Sequence, residues 1–164
     1  MKIDYDKISA LIKVFEGYSD IPYLCPAGYW TIGYGHVIVV NGRQLKGDAD
    51  ARLAYQTYRK PLKPEEAEEL FRTDIIAFTA KVLVLVKVPL NSNQIASLVS
   101  FAYNVGVGNF STSTLLRKLN KGDYDCVPKE LRRWVYGTVD GKRKKLKGLV
   151  NRREKEAEYW LRED

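Results

Sequence analysis

The sequence is poor in the residues that build metal centres and disulfide frameworks: its 164 residues include one histidine and two cysteines. Two cysteines cannot form the disulfide framework of a small secreted domain, and the single bridge that they allow would be optional. One histidine excludes a histidine-rich metal site, and the sequence contains neither an HExxH motif nor paired CxxC motifs. We therefore expect a protein that uses no metal ion and no cofactor.

Long apolar runs are also missing from the sequence. No stretch reaches 18 consecutive apolar residues, which argues against a membrane-spanning helix and predicts no stable membrane insertion. Lys13 and Glu16 interrupt the first apolar segment, unlike the unbroken apolar region of a secretory signal peptide. We expect the protein to accumulate in the cytoplasm where it is made.

What is present is the composition of one globular domain with an excess of positive charge. Hydrophobic residues make up 45% of the chain and charged residues 29%, and the formal net charge is +7. Eleven Lys and Arg residues against three acidic ones lie between residues 129 and 155, most densely at 142–145. A run of charge is most often a solvated face. This segregation nevertheless favours a basic patch that meets nucleic acid, anionic lipid or an acidic polymer.

Helical periodicity is clear in two parts of the first half of the chain. A first helix is predicted by apolar residues at i, i+3, i+4 and i+7, namely Ile8, Leu11, Ile12 and Phe15. Glu16 follows directly and Gly17 is a natural helix stop, so we expect a carboxylate at the C-terminal end of this helix. Pro64 and the acids behind it predict the start of another helix. Its end at Val82–Val86 fits either a strand or a helix.

The other segments predict a small sheet and several short helices. Aromatic and β-branched residues over 20–40, punctuated by glycines and prolines, predict a short antiparallel sheet, and residues 41–62 predict irregular structure with a short helix. Asn91 or Ser92 caps a further helix that ends at Gly106. Three more helices are predicted at Thr114–Leu119, Lys129–Trp134 and Arg152–Leu161. This order of elements is typical of an α+β protein.

Three residues are candidates for catalysis: Glu16, Cys25 and Thr31. Glu16 lies at the end of the first predicted helix, and Cys25 and Thr31 lie within the predicted sheet. Glycoside hydrolysis needs an acid that protonates the leaving oxygen and a second group that activates water or stabilises positive charge on the sugar ring. Aromatic and hydroxyl side chains nearby suit the faces and edges of sugars. From spacing alone, each of the three residues is equally compatible with an incidental role.

Longer motifs around these residues resemble the phage T4-type lysozymes, the endolysin family of glycoside hydrolases. Members keep a Glu, eight residues, an Asp or Cys, five residues and a Thr, and this pattern matches Glu16, Cys25 and Thr31 without a gap. The segment from Gly28 to His36 resembles the same signature. Further matches lie at residues 104–116 and 147–154, so the resemblance extends from about residue 10 to the end of the chain.

The resemblance implies a single two-lobed α+β lysozyme domain with a cleft between its lobes. Its expected parts are one domain over 1–164, a small sheet lobe at 16–63, a long connecting helix at 64–87, and a helical lobe from 1–15 and 88–164. The implied activity is hydrolysis of the β-1,4 bond between N-acetylmuramic acid and N-acetylglucosamine in bacterial peptidoglycan, causing host cell lysis. The alternative is a non-catalytic peptidoglycan-binding module in which Cys25 marks a lost activity.

The roles of the three catalytic candidates follow from the same resemblance. Glu16 is expected to be the general acid, and Thr31 to position the attacking water through its hydroxyl. Cys25 occupies the place where other members have an Asp that serves as base or electrostatic stabiliser. Because a thiol is mostly protonated at neutral pH, Cys25 stabilises positive charge poorly unless it ionises, in which case it acts as a nucleophile or a base.

The resemblance also implies roles for four further residues and for partners. Tyr103 and Asn104 fall where the family lines its cleft and are expected to bind substrate. His36 and Asp74 are expected to form a structural ion pair rather than a proton shuttle. We expect a monomer that meets peptidoglycan after release through a separate membrane pore, and no nucleic-acid partner, since no helix-turn-helix or similar signature is present.

Overall fold

The computed structural model describes residues 2–163, which form two compact units. The sheet unit comprises Glu16–Asp74, and the helical unit comprises the residues up to Phe15 together with those from Ile75 onward. The boundary between the units falls inside one long helix, α3, which spans Pro64–Leu85. No helix within the described residues is long and apolar enough to cross a membrane.

The sheet unit contains a three-stranded antiparallel sheet followed by a hairpin and a short helix. Its elements are β1 (Ser19–Leu24), β2 (Trp30–Gly33), β3 (His36–Val37), β4 (Val39–Val40), β5 (Arg43–Gln44), a 3-10 turn (Asp48–Asp50) and α2 (Ala51–Thr57). The strand order is β1-β2-β3, and β4 pairs with β5. The β4–β5 turn is Asn41-Gly42, whose positive φ angles of 52° and 76° suit the tight two-residue hairpin turn.

Apolar side chains from the strands, α2 and the first half of α3 form the core of the sheet unit. The buried members of this core are Trp30, Ile32, Ile38, Leu45, Ala54, Leu62 and Ala67. They come from β2, α2, α3 and the segments that connect these elements, so residues well separated in sequence bury one another. The small sheet predicted at 20–40 and the short helix predicted within 41–62 are therefore confirmed.

The helical unit is organised around α4, whose residues are buried on nearly every side. Its elements besides the second half of α3 are α1 (Tyr5–Lys13), α4 (Ser92–Val105), α5 (Val107–Ser111), α6 (Thr114–Leu119), α7 (Val127–Leu131), β6 (Tyr136–Val139), β7 (Lys142–Lys145) and α8 (Lys147–Leu161). Helices α1 and α8 pack against α4. The observed content confirms the predicted α+β class, with a small sheet and a larger helical part.

Side-chain caps explain where several of these helices begin. Asp4 accepts a hydrogen bond from the Lys7 backbone N–H at 3.0 Å, which caps α1. Asn91 caps α4 through a reciprocal box: its side chain accepts from the Gln94 N–H at 2.7 Å, and the Gln94 side chain accepts from the Asn91 N–H at 2.9 Å. Of the two caps predicted for this helix, Asn91 is the one that the structure uses.

The valine and leucine run near the end of α3 is helical, as the family resemblance implied and against its local strand propensity. The helix continues through Leu85, two residues short of the predicted end at residue 87. Val82 is fully buried on this helix, whereas Val84 is 68% exposed. A β-branched residue pays a small helix propensity cost, and burial of one face outweighs it.

Besides the end of α3, the boundaries of three other predicted helices were wrong, and one hairpin was not predicted. Helix α1 ends at Lys13, so Glu16 lies three residues beyond the helix rather than directly at its end. Helix α7 occupies 127–131 instead of 129–134, because Pro128 belongs to its first turn. Helix α8 begins at Lys147 rather than at residue 152, directly after the β6–β7 hairpin. The basic run at 142–145 is strand β7, exposed along its whole length.

Candidate active site

The β1–β2 hairpin carries two of the three catalytic candidates. Cys25 follows the last residue of β1, and its backbone N–H donates to the Tyr29 carbonyl at 2.9 Å. The Cys25 carbonyl accepts from the Gly28 N–H at 2.8 Å, closing a four-residue turn. Pro26 at the second position suits such a turn, and Gly28 adopts a φ of +87° that few other residues tolerate. Turn chemistry thus holds Cys25 at the tip of the sheet.

Cross-strand pairing brings Cys25 and Thr31 to the same face of this hairpin. Tyr23 of β1 pairs with Thr31 of β2, and Cys25 stands opposite Tyr29 through the hydrogen bond of the turn. Side chains two residues apart on a strand project to the same side. Tyr23, Cys25, Tyr29 and Thr31 therefore share one face.

Thr31 is buried to 3% exposure, and its hydroxyl already has a partner. The Thr31 Oγ1–H donates to the Tyr29 carbonyl at 3.0 Å. A hydroxyl has one proton and two lone pairs. With its proton committed to Tyr29, Thr31 can meet a further water only as a hydrogen-bond acceptor.

Tyr23 lies within electrostatic reach of both Glu16 and Cys25. Burial raises the pKa of Tyr23, and the negative charges of Glu16 and Cys25 raise it further. Because such charge effects weaken with distance, they associate Glu16 with the face that carries Cys25. Glu16 itself is half-buried in the segment between α1 and β1. Tyr23 was not among the sequence candidates, although its place two residues before Cys25 on a predicted strand was a usable signal.

His36 and Asp74 come together inside the sheet unit. The His36 Nδ1 and the Asp74 Oδ2 are 2.8 Å apart, joining β3 to α3, and both side chains are about one-fifth exposed. Burial raises the pKa of Tyr58, and the charge of Asp74 adds to that rise. The geometry permits a charged pair whenever the imidazole is protonated.

Tyr103 and Asn104 lie in the helical unit, near the end of α4. The Tyr103 ring packs against Phe78 of α3, with ring centroids 4.9 Å apart. Asn104 is exposed, and its Oδ1 accepts a hydrogen bond from the Arg153 Nη2. These two candidates therefore have different surroundings: an aromatic neighbour for Tyr103 and a guanidinium for Asn104.

Arg153 orients the Asn104 amide. Arg153 is fully buried, its Nε–H donates to the Trp134 carbonyl at 3.0 Å, and its Nη1 donates to Glu156. A guanidinium has donors and no acceptor, so the amide oxygen of Asn104, not its NH₂, must face Arg153. The Asn104 NH₂ is left on the exposed side as a pair of donors. Arg153 and Asn104 are 49 residues apart in the chain, and this contact was not predicted from the sequence.

No group of three or more His, Cys, Asp and Glu side chains among residues 2–163 is arranged to hold a metal ion. Cys25 and Cys126 are both free thiols. The Cys126 thiol donates to the Asp123 carbonyl at 3.1 Å.

Comparison with known proteins places the chain among lysozymes of phages. The family model described as phage lysozyme matches residues 13–156. An endolysin of Acyrthosiphon pisum secondary endosymbiont phage 1 is 40% identical over 151 residues, covering 92% of each chain. A SAR-endolysin of Enterobacteria phage PA-2 is 38% identical over 146 residues, covering 89% of this chain and 77% of the relative. The solved endolysin from Escherichia coli O157:H7 phage FAHEc1 superposes with a TM-score of 0.77 at 32% identity, covering 98% and 94% of the two chains.

Proposed function

This chain belongs to the phage lysozyme family, and we propose that it is an endolysin-type muramidase. It hydrolyses the β-1,4 bond between N-acetylmuramic acid and N-acetylglucosamine in bacterial peptidoglycan, as a glycoside hydrolase that lyses the host cell. One observation supports the site most directly: Cys25 and Thr31 share one hairpin face with Tyr23, whose pKa responds to Glu16. Three residues chosen by a sequence motif are thereby associated with one patch of the sheet unit.

In the proposed mechanism Glu16 is the general acid. It donates its proton to the glycosidic oxygen as the bond to the sugar carbon breaks, so the leaving sugar departs as a neutral alcohol. Its half-buried position in an irregular segment allows the carboxyl to meet substrate while partly shielded from water. General acid catalysis of this kind contributes roughly 10²–10⁴-fold to the rate.

Thr31 and Cys25 supply the second half of the reaction. The Thr31 hydroxyl accepts a hydrogen bond from the attacking water, since its own proton is donated to Tyr29. The water oxygen is then turned toward the sugar carbon. Cys25 takes part as a thiolate, either removing a proton from this water or attacking the sugar itself to form a thioether-linked intermediate that water later releases.

Asn104 and Tyr103 are proposed to bind the sugar chain. Because the Asn104 amide presents only donors, it fits an acceptor on the substrate, such as the carbonyl oxygen of an N-acetyl group. Tyr103, held against Phe78, offers a ring edge or face to a sugar. His36 and Asp74 are proposed as a structural pair that fixes β3 on α3.

The test of this function is release of reducing sugar ends from purified peptidoglycan. We expect Glu16→Gln to lose activity by about 10²–10⁴-fold while still binding the polymer. Asp20→Asn is the matched control, because Asp20 is an exposed carboxylate of the same unit, and it should retain activity. Wild-type protein that binds without releasing ends would establish the non-catalytic alternative, and loss of activity in Asp20→Asn alone would move the acid to Asp20.

We also propose that the enzyme is a monomer with no nucleic-acid partner that accumulates in the host cytoplasm and reaches the wall through a separate membrane pore. In support of this route, one relative is named an endolysin without the SAR prefix that others carry. Fractionation of expressing cells, with and without a co-expressed pore-forming protein, tests the route. Lysis without a pore would contradict it, and a dimer mass in light scattering would contradict the monomer.

A further inference from the structure

A cationic pocket of about 510 Å³ opens in the helical unit, beside the β6–β7 hairpin. We call it the hairpin pocket, and the lining residues that matter here are Arg132, Arg133, Trp134, Tyr136, Arg143 and Lys145. Its volume lies within the usual range of small-ligand sites. It contains none of the residues assigned above to bond cleavage or sugar binding.

Strand alternation divides the basic run of β7 between two faces. Tyr136 pairs with Lys145, and Thr138 pairs with Arg143. Since side chains two residues apart share a face, Arg143 and Lys145 accompany Tyr136 into the pocket. Lys142 and Lys144 belong to the opposite face. The Arg143 guanidinium lies 4.0 Å from the centre of the Tyr136 ring, which fixes its direction.

Positive charge in the hairpin pocket is only partly neutralised. Glu130 also lines the pocket, but it is buried and already accepts from Lys118 at 3.1 Å and from Arg133 at 3.0 Å. Arg132 pairs with Glu154 on the surface. Across the part of the chain that the structure describes, no ion pair is found for Arg143 or Lys145. The pocket therefore carries an excess of positive charge that suits an anion.

The spacing of these cations indicates what kind of anion fits. Arg143 and Lys145 are two residues apart on a strand, which separates them by roughly 7 Å along the chain. Guanidinium groups bind phosphate through paired hydrogen bonds. Two unpaired cations about 7 Å apart on one strand face, in a pocket that Arg132 and Arg133 also line, suit a polymer with repeated phosphates better than a single carboxylate.

We propose that the hairpin pocket binds the phosphates of an anionic polymer attached to the cell wall, and so holds the enzyme on its substrate. This inference rests on the proposed function, because that function brings the protein to the wall. It also accounts for part of the local charge excess at residues 129–155, since four of the eleven basic residues there line the pocket.

Two double variants separate the pocket from general electrostatics. Arg143→Glu with Lys145→Glu changes the pocket face, and Lys142→Glu with Lys144→Glu makes the same change in net charge on the opposite face. Both are placed in the Glu16→Gln background to prevent digestion. The probes are walls that retain glycerol-phosphate teichoic acid and the same walls stripped with hydrofluoric acid, and binding is measured by co-sedimentation.

We expect the pocket variant to bind the phosphate-bearing walls at least about tenfold more weakly, because it loses two charge-assisted contacts. The opposite-face variant should lose no more than about threefold, through screened long-range attraction. Stripping the walls should lower binding of the protein that carries only Glu16→Gln to the level of the pocket variant. Thermal melts check folding, and Arg143→Gln with Lys145→Gln replaces the charge reversal if that variant does not fold.

Equal losses in the two double variants would overturn the proposal, since they would reduce the site to diffuse charge. Undiminished binding to stripped walls would overturn it as well, as would tighter binding to a DNA duplex or to lipopolysaccharide than to phosphate-bearing walls. Failure of the proposed function would be seen in a separate assay, in which wild-type protein releases no reducing ends from stripped peptidoglycan. The hairpin pocket should be dispensable in that assay.

Discussion

A buried ion cluster between α4 and α8 provides the sharpest stability prediction. Glu156 is fully buried, and its Oε2 accepts from the Ser100 hydroxyl at 2.6 Å and from the Arg152 Nε at 3.3 Å. Its Oε1 accepts from the Arg153 Nη1. Both arginines are at most 3% exposed. Glu156→Gln keeps the volume of the side chain but removes the negative charge that these two guanidinium groups share.

The expected loss follows from leaving buried cations without their counter-charge. Breaking a buried ion pair from one side costs about 3–5 kcal/mol of unfolding free energy. For a chain of this size, each kcal/mol corresponds to roughly 2–4 °C in Tm. We therefore expect Glu156→Gln to lower the Tm by roughly 6–20 °C.

Glu158 provides the control on the same helix. It also meets two cations, Lys155 at 3.3 Å and Arg162 at 2.7 Å, but its side chain is 51% exposed. Water and salt screen such a pair, so Glu158→Gln should lower the Tm far less. Calorimetry at neutral pH measures both variants. Equal shifts in the two variants, or no shift in Glu156→Gln, would refute the argument that burial gives the cluster its importance.

Three further predictions concern single side chains of the two units. Cys25→Ala should lose reducing-end release by about 10²–10⁴-fold while Cys25→Asp retains it, and an alanine variant as active as wild type would remove Cys25 from the mechanism. Asn104→Asp should raise KM by about tenfold through loss of a donor, whereas Asn151→Asp, at an exposed position of α8, should not. A change in kcat alone would contradict the binding role. Burial and the negative charges of Asp123 and Glu130 raise the pKa of the Cys126 thiol. In the Cys25→Ser variant, alkylation of Cys126 at pH 8 should therefore be slower than that of free cysteine and should accelerate toward pH 10, which mass spectrometry measures.

Sequence patterns predicted those elements whose burial follows a regular period. Helix α4 shows this clearly, because its apolar repeat and its Asn91 cap are both visible in the sequence. The β6–β7 hairpin was not predicted, although Asp140-Gly141 is a favoured hairpin turn and adopts φ angles of 52° and 75°. Strand β7 is exposed and wholly basic, and no residue of the four-residue strand β6 is fully buried, so no apolar alternation marks the hairpin. A pattern search based on burial has no signal for a strand that buries little.

The candidate site also contains residues that a sequence pattern predicts and residues whose role depends on the folded structure. The identity of Glu16, Cys25 and Thr31 could be proposed from a linear motif, since the spacing of residues along the chain is preserved in the sequence. The contribution of Tyr23 depends on strand register, which sequence alone did not fix.

The role of Arg153 was the hardest to predict from the sequence, because Arg153 contacts Asn104, which is 49 residues away in the chain. A charged side chain is most often exposed, but the packing of α8 on α4 buries Arg153 beside Glu156 and the exposed Asn104 amide. The same guanidinium therefore belongs to the stability cluster and sets which atoms Asn104 presents. Because a guanidinium can only donate, this burial leaves the amide NH₂ facing outward, and the proposed preference for a carbonyl acceptor on the sugar follows from a residue that itself never meets solvent.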